Sequence, residues 1–389
     1  MSGNDRKGRR SEKKVRLGPM TQENWKAAIE CAGKVPSYEC RLYSDAHVIG
    51  EPEESFGPYQ ILNALDFPVR GAARTALLFR YEEHLTLDDF YESDPKTDTD
   101  RYHGGGLAEE IAALISLILR MRLKAGPEVR RFDPDGDPKG RLMRLSQVGD
   151  PVLLPPASWA ILPGMAAQRN AGDLALLRTI PQLPADKANA LVRAARLYQD
   201  AVWVAESQPS LAWVYLVSAV EVVAGAQKKT KWSPTGLLRE YEPDLSKRLE
   251  ESGGEELVEE VAKKVAHLLR STKKFIEFLI EFKPAAPEKR PPESYRVSWQ
   301  EEDLRNDLKK VYDWRSKALH DGTPMPPPMC DPALPNGEAF WEKPMGKSVS
   351  GRGGLWRTED TPMLLHIFEH LVRGALLRWW RAQADAGGV

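Results

Sequence analysis

Arg315 and His320 stand five residues apart in the segment Leu304 to His320. Together they have the side chains needed to cleave RNA without a metal. That reaction needs a group titrating near neutrality, to take the proton of the 2′-hydroxyl or to protonate the leaving oxygen. It also needs a cation against the phosphoryl oxygens. An imidazole meets the first need, and a bidentate guanidinium meets the second better than an ammonium does. DNA lacks the 2′-hydroxyl and is inert to this route. On a helix, five positions amount to ~140° of rotation and ~7.5 Å of rise. The two side chains therefore point to neighbouring faces, and both can border one groove if the last turn loosens at Gly322.

Arg315 is conspicuous for where it falls. Leu304, Leu308, Val311, Arg315 and Leu319 lie on one helical stripe, so the arginine occupies a position that pattern reserves for an apolar residue. A guanidinium does not shed its proton, and burying it unpaired is prohibitive. Two readings follow. In one, Arg315 pairs with Glu221, the lone charge between Leu211 and Ala226, and His320 merely caps a helix. In the other, Arg315 faces an anion-binding cleft and His320 titrates beside it, favoured as imidazolium by the helix C-terminus.

Other motifs are weaker. His103-Gly-Gly-Gly106 has the look of an esterase oxyanion loop, but no G-x-S-x-G elbow supplies a nucleophile. His366 and His370 have a zinc-compatible spacing without a third ligand or an H-E-x-x-H glutamate. Met345-Gly-Lys-Ser348 ends like a phosphate-binding loop but has Trp341 where glycine is required. No metal and no cofactor is expected.

The elements that must position Arg315 and His320 are helical. Leu191 to Ala205 is amphipathic, Leu211 to Ala226 is apolar nearly all round and suits the centre of a bundle, and Leu257 to Phe282 follows. Pro284 to Pro292 stops that helix, Leu304 to His320 is the next, and Gly322 is its C-terminal cap. Thr361-Pro362 reads as N-cap and first-turn proline of a last helix. Upstream, Arg74 to Tyr81 and Arg141 to Ser146 read as strands. Leu107 to Met121 reads as a helix that Lys124, Gly126 and Pro127 terminate. The fold class is therefore α+β: a basic, disordered tail (1–18), a mixed α+β region (19–150), a connection (151–184) and an all-α bundle (185–385). The 389-residue length favours two domains. With 55 Lys+Arg against 56 Asp+Glu, any contact with RNA must come from a local patch. Three scattered cysteines, Cys31, Cys40 and Cys330, form no C-x-x-C pair. There is no secretory signal and no membrane-length apolar run, so a cytoplasmic setting is expected.

Tyr312-Asp-Trp-Arg-Ser-Lys-Ala-Leu-His-Asp-Gly322 resembles the R-x(4-6)-H signature of the HEPN superfamily, and in particular its Apea-like branch. There an aromatic precedes Arg-Ser and a glycine follows the histidine. Leu211 to Glu221 is similar to that branch's central helix, and the resemblance spans roughly residues 185 to 385. It implies a helical bundle that homodimerises, bringing two Arg/His pairs into one composite ribonuclease site. It also implies RNA as substrate and a role in bacterial toxin–antitoxin, CRISPR or anti-phage defence. On this chain Arg315 would bind the scissile phosphate and His320 would act as acid or base, with Glu221 and Tyr312 in support. Ser316 stands where many members carry Asn, Asp or His as a helper. Members silenced by a nucleotidyltransferase antitoxin carry a tyrosine two after the histidine. Gly322 stands there, so the resemblance implies no such partner chemistry. Some members have lost catalysis and only bind or scaffold, which is the alternative for this chain.

Overall fold

A computed structural model describes residues 17–30, 33–51, 56–64, 72–85, 97, 99, 101–143, 150–156, 158–227, 232–344, 348–351 and 353–387. The expected basic tail up to Arg16 and the Met345–Ser348 motif lie wholly or largely outside them. The class is α+β, as the sequence patterning predicts.

Helix α1 (Met20–Glu30) precedes an antiparallel sheet of β1 (Ser37–Ser44), β3 (Tyr59–Asn63), β4 (Arg74–Glu82), β5 (Lys124–Phe132) and β6 (Arg141–Leu142). The strand order is β3-β4-β1-β5-β6, and short β2 (Val48–Ile49) lies apart from this sheet. Alternation along the strands turns Cys40, Leu42, Leu77 and Phe79 to one buried face. Helix α2 (Leu107–Leu119) packs in this core and is itself buried along nearly its whole length. The expected strand at Arg74 is present, and that at Arg141 is present for two residues, the remainder falling largely outside the described residues.

One expectation needs correcting. Lys124, Gly126 and Pro127 do not end α2, which stops at Arg120 in the left-handed conformation (φ 53°). They begin β5 instead. A proline is tolerated there because β6 pairs β5 only at Arg130 and Arg131, and the β1–β5 register shifts between Cys40 and Leu42. Gly126 also lets the Tyr43 ring lie across the strand, since a Cβ there would come within 2.5 Å of that ring.

The helical half follows: α3 (Ala185–Val204), α4 (Pro209–Ala226), α5 (Pro234–Tyr241), α6 (Pro243–Glu281), α7 (Glu301–His320) and α8 (Leu365–Gly387). Helix α4 sits against α3, α6, α7 and α8, the central place its apolar sequence predicts. By length and composition it is also the one described helix that could cross a membrane. Here Trp213, Leu216, Val220 and Val223 are fully buried in the core. Helix α6 breaks at Gly253–Gly254, where Gly254 has φ 65°, so the expected helix from Leu257 is its second arm. Thr361 does not cap α8. Its hydroxyl donates back to the Arg357 and Thr358 carbonyls, and the helix begins at Leu365. One contiguous core joins Phe79 of the sheet, Leu114 of α2, Tyr198 of α3, Trp213 of α4 and Trp379 of α8. Leu162, Leu174 and Ile180, from the stretch between Asp150 and α3, belong to the same core.

Candidate functional site

Helix α7 has acidic residues in its first turn (Glu301, Glu302, Asp303) and Lys317 and His320 in its last, the order the helix dipole favours. Leu304, Leu308 and Val311 are fully buried. The stripe then leaves the core: Arg315 is partly buried, and Leu319 is 50% exposed where an interior position was expected. In the last turn Lys317, Leu319 and His320 are exposed and Ala318 is half-buried. Gly322 terminates it with φ 66°, and the Asp321 and Thr323 amides close back on the Lys317 carbonyl at 2.9 and 3.3 Å. The following loop is pinned to α4 by the Met325 amide donating to Ser210 Oγ at 3.0 Å. The Trp213 indole donates to the Met329 carbonyl at 3.1 Å.

Arg315 meets Glu221. One terminal guanidinium nitrogen donates to Glu221 Oε2, while the Tyr312 hydroxyl donates to Oε1 at 2.8 Å. The guanidinium also lies 5.6 Å from the Tyr312 ring centroid. Arg315 and Glu221 remain 16% and 24% exposed in their side chains, so the pair borders solvent. The Arg315 Nε has no hydrogen-bond partner among the described residues. Burial first, and then the Glu221 carboxylate, push the Tyr312 phenol above its ordinary pKa, so it stays protonated and donates. Its ring packs on Phe275 of α6 at 5.2 Å, while the Ser271 hydroxyl on the same helix donates to the His267 carbonyl at 3.4 Å. Phe275 is the neighbour sequence reasoning missed, because nothing in its local pattern separates it from the other buried positions of α6.

The site thus brings Arg315, Glu221 and Tyr312 together and leaves two predicted members outside. His320 is exposed on the last residue of α7. Ser316 is half-buried. Trp314, on the flank, donates to the Asp360 carbonyl at 2.8 Å and carries Lys317 over its ring at 4.4 Å.

Two further polar clusters lie elsewhere. Arg120, Glu369 and Tyr198 meet inside the core. Asp45, Arg122 and Glu206 line a cavity of about 400 Å³ beneath the Ala160–Ala167 loop. His103 does not face an open oxyanion loop; it is buried against Glu110 at 2.6 Å. Glu110 in turn accepts from the Met20 and Thr21 amides at the start of α1. His366 is buried, and His370 contacts the Ala285 carbonyl at 2.9 Å. Among the described residues no three His, Cys, Asp or Glu side chains converge as metal ligands. No family model, no curated protein sequence and no solved structure matches this chain.

Proposed function

We propose that the chain is a metal-independent endoribonuclease of HEPN type that works as a homodimer in a bacterial toxin or anti-phage role. Arg315 would hold the scissile phosphate and His320 would transfer the proton. The observation carrying this reading is the state of Arg315. Its guanidinium is held by Glu221 and lies against the Tyr312 ring, yet the side chain keeps 16% of its surface exposed. A cation so placed can turn part of its donor fork to a phosphate without leaving a buried carboxylate stranded.

His320 lies one turn and a little more along the same helix, exposed and at its positive-charge-favouring end. No hydrogen bond or ion pair joins His320 to the Arg315 cluster among the described residues, and the family resemblance makes a second copy what would complete the site. The open side of α4 supports such an assembly. Leu211, Val214 and Val222, with Ser218 between them, are only half-buried there beside Glu221, and their three- and four-residue spacing puts them on one largely apolar stripe.

A second reading has its own observation. The Arg315–Glu221 pair is an internal ion pair, and it suits a non-catalytic HEPN-fold module that binds RNA or a partner equally well. The test is incubation of the purified protein with single-stranded RNA in EDTA, beside Arg315→Ala and His320→Ala. Cleavage by the parent that both substitutions abolish is the expected result. Intact RNA at high enzyme concentration, across salt and pH and with cell extract added as a source of activator, sinks the enzyme reading. Cleavage surviving in both variants places the chemistry elsewhere.

A further inference from the structure

We propose that the face of α6 carrying His267, Arg270 and Lys274 is the track along which single-stranded RNA lies as it enters the Arg315 site. This rests on the ribonuclease reading and names the surface that grips the substrate. At 100° per residue the three side chains fall within an arc of about 60°, over roughly 10 Å of helix. His267 and Arg270 are exposed and Lys274 is half-buried.

What distinguishes them is the lack of internal neutralisation. One turn earlier, Lys263 and Lys264 are paired with Glu259 and Glu260 at 3.3 and 2.8 Å. Beside Arg270 at the i+3 position, Lys273 is committed to Glu240. Arg270 and Lys274 have no carboxylate partner among the described residues. Phe275, the residue after Lys274, packs against Tyr312 of the site with ring centroids 5.2 Å apart. The unneutralised stripe therefore runs alongside the Arg315–Tyr312–Glu221 cluster. A chain with formal charge -1 has no global attraction for a polyanion, so a local row of free cations beside the scissile position is where phosphates would settle.

The experiment measures anisotropy of a labelled single-stranded RNA with the full chain in EDTA, across a salt series. The His320→Ala background keeps the RNA whole. In that background Arg270→Gln/Lys274→Gln should weaken binding about tenfold at low salt. It should also flatten the log–log salt slope by about 1.4, at ~0.7 per lost phosphate contact. Arg378→Gln/Arg381→Gln, two exposed cations on α8, makes the same net charge change and should leave both quantities in place. Equal loss from the two double variants, or none from the α6 variant, overturns the α6 assignment. Cleavage is scored separately on the His320-intact chain. There the α6 variant should raise KM and spare kcat, whereas absence of cleavage in the parent would count against the ribonuclease reading itself.

Discussion

The molecule contains the same three side chains twice, in two environments. In the core, Glu369 Oε2 accepts from Arg120 Nε at 3.0 Å and Nη2 at 2.9 Å, and Oε1 accepts from the Tyr198 hydroxyl at 2.7 Å. At the edge of the bundle, Glu221 accepts from Arg315 and Tyr312. Glu369 and Tyr198 are fully buried, whereas Glu221 keeps 24% of its side-chain surface. The core trio ties the end of α2 to α3 and α8, and it holds Arg120 in the one left-handed non-glycine conformation among the described residues. Such a conformation costs roughly 1–2 kcal/mol, which the ion pair and both guanidinium bonds offset. The edge trio constrains less, because its carboxylate still reaches solvent. Burial of the shared carboxylate is what separates the two trios: Glu369 has no exposed side-chain surface and Glu221 does, while the arginines themselves keep 29% (Arg120) and 16% (Arg315).

The widest separation between the two should appear in stability. Glu369→Ala leaves Arg120 and the fully buried Tyr198 hydroxyl without their shared acceptor and should cost about 3 kcal/mol. Glu221 still reaches solvent, so Glu221→Ala should cost less, about 1 kcal/mol. Urea unfolding of both variants checks this, and equal losses would erase the distinction drawn here.

Acid should expose the core trio next. Burial alone would raise the Glu369 pKa. Pairing and hydrogen bonding with Arg120, helped by the Tyr198 hydroxyl, outweigh it and hold the carboxyl below its ordinary value. Its neighbour His366 is pushed down to about 3, first by burial and then by Arg120. Both shifts have the same sign for linkage. The unfolded imidazole takes up a proton near 6.5 while the folded one stays neutral. Stability therefore falls as pH drops from about 6.5 toward about 3, by about 1.4 kcal/mol per pH unit for this one group. Glu369 adds a further loss as pH falls through the carboxylate range. His366→Leu should remove the part of the slope between pH 6 and 5, while His320→Ala should leave it unchanged. An unchanged slope in His366→Leu would show that another group carries the acid sensitivity.

The hydroxyls give the smallest contrast. Tyr198→Phe leaves a buried Glu369 oxygen without its donor and should cost about 1–3 kcal/mol, against about 1 kcal/mol for Tyr312→Phe, a buried phenol whose acceptor Glu221 still reaches solvent. Thermal unfolding of the pair measures the difference, and a reversed order would put the edge trio in the structural class.

These two trios also differ in how far the sequence reveals them. Glu221 stands out because α4 is otherwise apolar, and Arg315 because it interrupts a helical stripe; periodicity alone nominates them as partners, and they do meet. Arg120 and Glu369 are separated by 249 positions, and each sits where a helix end or a polar face would be expected to carry charge. Only packing joins them. The same limit explains β5, where Lys124, Gly126 and Pro127 carry the local chemistry of a helix stop and the neighbouring β1 overrides it. It explains Leu319 as well, since periodicity continues into a last turn that is largely exposed. His320 is nominated by residue type and spacing and Ser316 by the family resemblance alone, and whether they join Arg315 depends on a second copy, which a single chain's periodicity does not encode.

The most direct test is the single-turnover cleavage rate of single-stranded RNA in EDTA by Arg315→Ala, in protein whose urea midpoint lies close to the parent's. A cation serving the transition state is worth about 10²–10³ in rate. A fall of at least a hundredfold in a fold that is otherwise intact is the predicted result. A parental rate in the folded variant would contradict the account, because the edge arginine would then be no more than a second, weaker copy of the one in the core.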